Sequence, residues 1–324
     1  MDSTIEKIKT IKHSELDEYN KFSMLGSGQH GICFARGSGI RLYDLEGKSY
    51  IDCTSQGWAL FLGHANEELR QAVYEQMGEL GHLNQNSDSL PRYALAKKLT
   101  ELAPPNLNRV LFTVGGSAAI EAAMKIAAKN VKGARQFLCL QDGYHGTSLT
   151  TGAASWISTK TAGIFTGFNS FSAITNNIFV RIPNPYLYRW NNTPDPEDCI
   201  DACLKTARET LRSGVSGQVA GLIVEPLQAS GGQIPLPKRY LQGLRQLCDE
   251  RNLLFMVDEI QTGLGRTGAW FAHQRLGVVP DVVTMAKALG NGVPIGACWA
   301  RAEVADAFRP GDHGSTYGGQ PLAA

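Results

Sequence analysis

Three ionisable residues stand at the ends of apolar runs, where they could take part in catalysis. Lys287 follows VVTMA, Asp258 ends LLFMVD, and Glu225 ends VAGLIVE. A lysine in an apolar pocket has a lowered pKa and becomes nucleophilic; a solvated lysine at a helix start is the alternative. A buried carboxylate at Asp258 needs a cationic partner, either an arginine or a protonated pyridine nitrogen, unless it caps a helix. The pattern therefore allows covalent amine chemistry at this set of residues.

Glycines and aromatic residues follow two further runs. Gly115-Gly116-Ser117 comes after RVLFTV and opens a helical stretch. Two glycines let the backbone approach a ligand, and free N–H groups at a helix start favour a phosphate; an ordinary strand-to-helix turn is the alternative. After QFLCL come Tyr144, which can stack on a flat ring or simply pack, and His145, a base or a hydrogen-bonded loop histidine.

These residues meet only if the apolar runs form one sheet. The runs lack alternation, as strands buried on both faces do, and helical stretches over 117–131, 197–212 and 237–251 separate some of them. This order predicts an α/β fold with a mostly parallel sheet and helices on both faces. Ligands bind beyond the carboxyl ends of parallel strands, so the residues above should lie together. The runs are 109–114, 136–140, 178–182, 219–225, 253–258, 281–286 and 295–300.

The N-terminal region follows another pattern. Residues 1–20 read as an amphipathic helix or arm. Residues 32–53 alternate apolar and polar side chains between glycines, which predicts short antiparallel strands. The stretches EELRQAVYEQMGEL and RYALAKKLTEL have helical spacing.

Composition argues against several other classes of function. The chain has 324 residues with 31 Lys+Arg and 30 Asp+Glu, so a formal charge of +1 gives no reason to expect nucleic acid or an anionic membrane as partner. No segment approaches the roughly 18 apolar residues of a membrane span, and the charged N-terminus is no secretory signal. Seven scattered cysteines indicate reduced thiols and a cytoplasmic location. Cys199 and Cys203 fit helix packing better than a zinc site, which needs more ligands.

Two glycine motifs match GxGxxG, at Gly26–Gly31 and at Gly263–Gly268. A dinucleotide fingerprint follows a strand directly and opens a helix. Strand-like sequence follows the first motif, and Asp258-Glu259 separates the second from its strand. The glycines of both motifs are therefore better interpreted as turn-forming residues than as the dinucleotide-binding motif of a nicotinamide oxidoreductase.

Together these motifs resemble the class III aminotransferases, pyridoxal-phosphate enzymes of fold type I. The segment VDEIQTGLGRTGAWFAHQRLGVVPDVVTMAKALGNGVPIGA reads as the family signature, and DGYHG, EPLQASGG and HGSTYGGQPLAA match further motifs. The opening RGSGIRLYDLEGKSYIDC is also similar, so the likeness covers nearly the whole chain. It implies the large domain of that fold type together with an N-terminal α/β segment.

The resemblance assigns a cofactor, pyridoxal 5'-phosphate, to individual residues. Lys287 matches the lysine that holds it as an aldimine and moves a proton. Asp258 matches the acid paired with the pyridinium nitrogen, and Gln261 the residue near the ring hydroxyl. The other implied cofactor contacts are the phosphate turn Gly116 and Ser117, the ring-stacking Tyr144, its neighbour His145, and Thr316, which in the family's dimers reaches the phosphate of the neighbouring subunit.

The implied activity is transfer of an amino group between an amine or amino acid and a 2-oxo acid or aldehyde. The working unit implied is a homodimer, or a larger assembly, with shared sites. On the substrate side the resemblance implies Glu225 and, by a looser match, Trp58. The same scaffold supports lyase, decarboxylase and epimerase reactions, which stay open as alternatives.

The sequence also departs from the family pattern. Gly115-Gly116-Ser117-Ala118 stands where the family commonly has Ser-Gly-Thr-Glu, and Gln320 replaces an Asn. We expect residues 1–60 to form an arm and short strands of the small domain, and residues 61–324 to form the large cofactor-binding domain. Family members continue beyond Ala324 for about another hundred residues, so we expect the C-terminal small domain to be absent. A catalytically incomplete cofactor-binding fragment is therefore a further alternative.

Overall fold

A computed structural model describes residues 8–22, 24, 31–156, 178–190 and 195–324. The strands are β1 (Phe34–Ser38), β2 (Arg41–Asp44), β3 (Ser49–Ile51), β4 (Leu107–Thr113), β5 (Ala134–Leu140), β6 (Phe179–Ile182), β7 (Gln218–Val224), β8 (Leu227–Gln228), β9 (Ile234–Pro235), β10 (Leu254–Asp258), β11 (Val282–Met285) and β12 (Gly296–Arg301). The α-helices are α1 (Leu16–Asn20), α2 (Ser55–Trp58), α3 (Glu67–Glu79), α4 (Leu90–Leu102), α5 (Gly116–Asn130), α6 (Leu149–Ala154), α7 (Pro196–Ser213), α8 (Lys238–Arg251), α9 (Ala272–Leu276) and α10 (Ala302–Ala305). Short 3-10 turns cover His13–Glu15, Leu187–Arg189 and Lys287–Leu289.

The N-terminal region forms a small antiparallel sheet. Strands β1, β2 and β3 pair in that order, which confirms the short strands predicted for residues 32–53. A bridge between Gly39 and His64 ties this sheet to the chain that follows it. The His64 Nε2 atom also lies 2.8 Å from Asp52 Oδ2. The small sheet is therefore fastened at two points to the residues just before α3.

A seven-stranded sheet has the strand order β4-β12-β11-β10-β7-β5-β6. The pairs β11–β10, β10–β7, β7–β5 and β5–β6 are parallel, whereas β12 runs antiparallel to both of its neighbours. All strands but β12 share one direction, which confirms the mostly parallel sheet predicted from the sequence. Their carboxyl ends lie at one edge, which we call the carboxyl edge; the opposite edge is the amino edge.

Helices bury both faces of this sheet. Leu222 and Phe255 belong to a core packed against α7 and α8, whereas the next residues along each strand, Ile223 and Met256, belong to a core packed against α5. Since successive strand residues face opposite sides, a strand covered on both sides needs apolar residues at nearly every position. This requirement explains the lack of alternation in the runs.

The helix boundaries follow the sequence signals closely. The helices α5, α7 and α8 agree to within one residue with the predicted stretches 117–131, 197–212 and 237–251. The carboxylate of Asp195 accepts a hydrogen bond from the Glu197 N–H and caps α7 at its start. The helix α1 covers only part of the arm predicted for the N-terminus, whose first seven residues lie outside the described ranges.

All seven cysteines are free thiols, and Cys199 and Cys203 lie buried in the core with α7 and α8, as predicted. The described residues contain no group of side chains suited to a metal ion. In that same part of the chain, no helix has the length and apolar character that crossing a bilayer requires. The motif Gly263–Gly268 lies between β10 and α9 and opens no helix, whereas most of Gly26–Gly31 lies outside the described residues.

Candidate active site

The carboxyl edge of the seven-stranded sheet surrounds a cavity of about 310 Å³. Residues that follow β4, β5, β7, β10 and β11 reach this cavity because these strands all end at the same edge. Its walls combine most of the predicted site residues with apolar neighbours. The lining residues are Ala59, Val114, Gly115, Gly116, Ser117, Tyr144, His145, Gly146, Glu225, Asp258, Ile260, Gln261, Ala286, Lys287, Gly292, Val293, Pro294 and Ile295.

Lys287 opens the 3-10 turn after β11 and has a positive φ of 47°. A positive φ is uncommon for a residue with a side chain, so surrounding contacts must hold this conformation. The Nζ atom donates a hydrogen bond of 2.9 Å to Gln261 Oε1. Burial lowers the pKa of Lys287, although the charges of Asp258 and Glu225 partly oppose this change. The lowered pKa favours the neutral, nucleophilic form of the amine.

Asp258 ends β10 and is buried, with 4% of its surface exposed. Its Oδ2 atom lies 2.8 Å from His145 Nδ1, and its Oδ1 atom accepts a hydrogen bond of 3.0 Å from the Ile260 N–H. Burial alone disfavours a charged imidazole, but the hydrogen bond to Asp258 and its charge outweigh this and raise the pKa of His145. His145 is thus hydrogen-bonded, as one of the two roles weighed for it requires. The buried Nε2 atom of this histidine has no partner among the described residues.

Glu225 follows β7 and is also buried. Its Oε1 atom accepts a hydrogen bond of 2.8 Å from the Tyr144 N–H. Burial raises the pKa of Glu225 from 4.5 to about 7; the charge of His145 opposes this rise and that of Asp258 adds to it. Burial therefore favours the neutral form of this carboxyl group over its charged form.

The turn between β4 and α5 offers an anion site. The helix begins at Gly116, and the N–H groups of its first turn have no partner within the helix. A Cβ atom added at Gly115 would meet nothing within 4 Å, so this backbone borders open space. The Ser117 Oγ atom accepts a hydrogen bond of 3.1 Å from the Thr147 N–H, and a Cβ atom at Gly146 would clash with that oxygen. The two loops approach closely beside a helix start that favours a phosphate.

Two predicted site residues do not line the cavity of their own chain. Thr316 is exposed and lies outside the lining. Trp58 has its ring centroid 6.0 Å from Lys287 Nζ, while its neighbour Ala59 lines the cavity. Trp58 is therefore close to the amine, whereas Thr316 is not among the residues that surround it.

The sequence pattern does not reveal a second buried pair next to Asp258. Glu259 and His273 are fully buried, and His273 Nδ1 lies 3.0 Å from Glu259 Oε1. The carboxylate of Glu259 also accepts hydrogen bonds from the His273 N–H and from the Thr262 hydroxyl. These bonds hold the loop that carries Gln261. The two adjacent acids after the apolar run could have indicated this second pair, because neighbouring residues of a strand face opposite sides of the sheet.

The arrangement fits pyridoxal 5'-phosphate. A glycine-lined helix start suits the phosphate, a buried carboxylate suits a protonated ring nitrogen, and an amine with a lowered pKa suits an aldehyde carbon. Val114, Ile260 and Ile295 give the remaining walls an apolar surface for a flat ring. These features define the class of site: a lysine-based pyridoxal-phosphate site at the carboxyl edge of a parallel sheet.

The chain matches the family model described as Aminotransferase class-III over residues 24–324, and it belongs to that family. The acetylornithine aminotransferase of Methanopyrus kandleri is 36% identical over 304 residues, which cover 94% of this chain and 70% of the relative. The solved (S)-enantioselective omega-transaminase of Thermomicrobium roseum is similar with a TM-score of 0.86 and 29% identity, covering 97% of this chain and 72% of that one. The taurine:2-oxoglutarate aminotransferase of Bifidobacterium kashiwanohense, solved with PLP and glutamate, has a TM-score of 0.85 and 27% identity, covering 100% and 71%.

These similarities confirm the family, the fold type and the cofactor expected from the motifs. The chain is a pyridoxal-phosphate-dependent transaminase, whose substrates are an amino compound and a 2-oxo acid. The motif Gly263–Gly268 opens no helix, so it lacks the strand-to-helix context that the nicotinamide alternative requires.

Proposed function

We propose that this chain transfers the terminal amino group of an N-acylated ornithine, or of a similar ω-amino compound, to a 2-oxo acid such as 2-oxoglutarate. The names of the similar proteins support this substrate class: an acetylornithine aminotransferase, an omega-transaminase and a taurine:2-oxoglutarate aminotransferase. One observation carries the proposal. The amine of Lys287, with its lowered pKa, hydrogen-bonds Gln261 in a cavity that also contains the buried carboxyl groups of Asp258 and Glu225.

Lys287 does the covalent and proton-transfer work in this proposal. When bound, pyridoxal 5'-phosphate supplies an aldehyde carbon that links to amines and a ring that accepts electrons from the substrate carbon. Lys287 Nζ would hold the cofactor by that aldehyde carbon and, when free, would remove a proton from the substrate carbon as general base. The lowered pKa keeps more of this amine neutral for that step. Gln261 orients the amine by accepting its hydrogen bond.

Asp258 provides the negative charge for the ring nitrogen. Its carboxylate is buried, so its partner must be a positive group or a strong hydrogen-bond donor. His145 fixes the orientation of this carboxylate through Oδ2. Tyr144, which lines the cavity, would pack against the ring, and the buried acid Glu225 would lie on the substrate side.

A homodimer completes the phosphate site in this proposal. Gly116 and Ser117 at the start of α5 bind the phosphate, and Thr316 reaches the phosphate of the neighbouring subunit. The exposure of Thr316 outside its own cavity supports this division of the site. Trp58 lies on the substrate side, which its position 6.0 Å from Lys287 Nζ supports.

Mixed dimers of two variants test the shared site. Lys287→Ala and Thr316→Ala each lose activity alone. After subunit exchange, each heterodimer has one site with both residues intact, so activity partly returns. No recovery despite proven exchange would mean that Thr316 serves its own chain.

Two further proposals concern organisation and location. Residues 1–60 belong to a small domain and residues 61–324 to the large domain, a division that the separate three-stranded sheet supports. A cytoplasmic location is supported by seven unpaired thiols. The similar proteins reported above are aminotransferases, which favours transamination over lyase, decarboxylase or epimerase chemistry.

Formation of glutamate tests the proposed substrates directly. The chain is loaded with pyridoxal 5'-phosphate and mixed with 2-oxoglutarate and one donor: N-acetylornithine, ornithine or taurine. We expect N-acetylornithine to give the highest kcat/KM. A higher kcat/KM for alanine, whose amine is not terminal, than for any of these three donors would contradict the proposed substrate class. Tight cofactor binding without turnover of any donor would identify an incomplete cofactor-binding fragment.

A further inference from the structure

The segment Trp58–Leu62 comes from the N-terminal part of the chain and borders the catalytic cavity. Ala59 lines that cavity, and the Trp58 ring centroid lies 6.0 Å from Lys287 Nζ. A Cβ atom at Gly292, in the loop that follows Lys287, would lie 3.0 Å from Leu60. This segment therefore forms one wall of the space beside the reactive amine.

The turn that leads into this wall has an unusual backbone. Ser55, Gln56 and Trp58 all have positive φ values, of 49°, 49° and 63°. Residues with a Cβ atom rarely adopt this conformation, and they keep it only where surrounding contacts over-determine it. The wall therefore needs contacts from elsewhere to hold its position.

Asn291 supplies the first of these contacts. It belongs to the same loop as Lys287, and its Oδ1 atom accepts a hydrogen bond of 2.7 Å from the Leu62 N–H. The side chain is 8% exposed, and its own φ is positive, at 43°. Asparagine tolerates this conformation better than most residues. Asn291 therefore combines a side chain that accepts the hydrogen bond with a backbone that can make the turn.

Arg266 supplies the second contact, from the loop that carries Gln261. Its Nη2 atom donates a hydrogen bond of 2.9 Å to the Trp58 carbonyl, and its guanidinium carbon lies 4.9 Å from the centroid of the Phe61 ring. No carboxylate among the described residues forms an ion pair with Arg266; its Nη2 donor bonds the wall, and its buried Nε has no partner in that part of the chain. The two loops that place the reactive amine and its hydrogen-bond partner thus also hold the wall.

We propose that Asn291 and Arg266 are positioning residues that fix the Trp58–Leu62 wall beside Lys287 and thereby set which amino donors the site accepts. This inference rests on the proposed function, because it concerns donor selection. A donor's side chain must fit between the wall and the amine that attacks the cofactor's carbon. A change in the position of the wall therefore changes discrimination between donors more than it changes the chemical step.

A purely structural role for the two residues makes different predictions. If they only stabilised the fold, their loss would lower the melting temperature and cofactor affinity, and all donors would suffer equally. Asn291→Gly is the sharpest variant, because glycine accepts the positive φ and removes only the hydrogen-bond acceptor. Asn291→Asp is the matched control, since its carboxylate can still accept the bond from the Leu62 N–H.

The experiment compares these variants as the cofactor-loaded protein with N-acetylornithine and taurine as donors. For Asn291→Gly we expect faster amide hydrogen exchange at Leu62 and an about tenfold change in the ratio of kcat/KM between the two donors, as the loss of one hydrogen bond implies. The dissociation constant of the cofactor should stay unchanged, and Asn291→Asp should restore both readouts. Arg266→Met should shift the donor ratio in the same direction.

Three results would overturn the inference. These are unchanged exchange at Leu62, an equal loss for both donors, and a parallel loss of cofactor affinity. Wild-type protein that forms no glutamate from either donor would instead contradict the proposed function. The proposed role of the Trp58–Leu62 wall in donor selection would then be contradicted too. If the wild type turns over donors and both Asn291→Gly and Arg266→Met keep its donor preference, the positioning role alone would be contradicted.

Discussion

The two edges of the seven-stranded sheet differ in how far the charges of their buried acids are compensated. At the amino edge, Asp281 precedes β11 and is buried. Arg245 Nη1 lies 2.7 Å from its Oδ2 atom, and Arg301 Nη2 lies 2.6 Å from its Oδ1 atom. The Phe255 N–H also donates a hydrogen bond of 2.7 Å to Oδ2. Both carboxylate oxygens are thus compensated, and this edge contributes to stability.

At the carboxyl edge, compensation is incomplete within the described part of the chain. The buried acids Asp258 and Glu225 lie beside one histidine, and no described arginine forms an ion pair with either. Lys287 donates its hydrogen bond to a neutral amide. Buried acids whose charges are incompletely compensated cost stability, so a fold retains them where a ligand supplies the missing partner. The difference between the edges therefore locates the active site without reference to any motif.

Replacement of the reactive amine should have the largest effect at the carboxyl edge. Lys287→Ala removes the group that holds the cofactor and moves the proton, so kcat should fall about 10⁴-fold. Because burial lowers the pKa of Lys287, its charged form is disfavoured in the fold, and the variant should melt no lower than the wild type. Lys97→Ala, at an exposed lysine of α4, is the control and should keep full turnover. Wild-type turnover in Lys287→Ala would contradict the assignment.

Loss of the buried acid at the amino edge should affect stability instead. Asp281→Ala removes the buried partner of Arg245 and Arg301, which keep only the exposed acids Asp249 and Glu303. It also leaves the buried Phe255 N–H without an acceptor, so the free energy of unfolding should fall by about 3–5 kcal/mol. Below the melting temperature, kcat should stay near that of the wild type. Urea titration of the apoprotein measures the first quantity.

The exposed acid in the same network gives the matched control. Asp249 bonds Arg245 as well, but its side chain is 63% exposed. Asp249→Ala should cost less than about 1 kcal/mol. Equal losses of unfolding free energy in Asp249→Ala and Asp281→Ala would show that burial of the acid does not increase the cost of removing it.

On stability, Glu225 should have a smaller effect than Asp281, and this effect should depend on pH. Burial raises the pKa of Glu225 from 4.5 to about 7, so between these values the folded state binds more protons than the unfolded state. The stability that this group contributes is complete below about pH 4.5 and is lost as the pH rises through about 7. Glu225→Gln cannot ionise, and its advantage over the wild type should grow across this window by up to about 3 kcal/mol.

Denaturant titrations of the apoprotein at several pH values measure that difference. Glu101→Gln, at a half-exposed glutamate on α4, is the control and should track the wild type at each pH. Parallel stability curves for Glu225→Gln and the wild type would mean that Glu225 ionises normally in the fold.

The sequence predicts the strand ends better than the contacts between them. Lys287 and Asp258 can be identified because each follows an apolar run, and a parallel sheet brings such positions to one edge. The bond between His145 and Asp258 spans 113 positions, and that between Leu62 and Asn291 spans 229. Local patterns carry no information about pairs at such separations, so both contacts require the structure.

The direction of β12 shows another limit of sequence patterns. Its sequence is as apolar as that of the parallel strands, because it is also buried on both faces. Burial sets the composition of a strand, whereas its direction depends on the connection to its neighbours. The fold class therefore follows from the pattern, and the antiparallel position of β12 does not.

Mapping of the cofactor's attachment point tests the central claim most directly. The chain is loaded with pyridoxal 5'-phosphate, reduced with borohydride to fix the cofactor on its amine, digested, and examined by mass spectrometry. We predict a single label, on the peptide that contains Lys287, and no label on that peptide in Lys287→Ala. A label on a lysine outside the carboxyl-edge cavity, or no label on a protein that still catalyses transamination, would contradict the account.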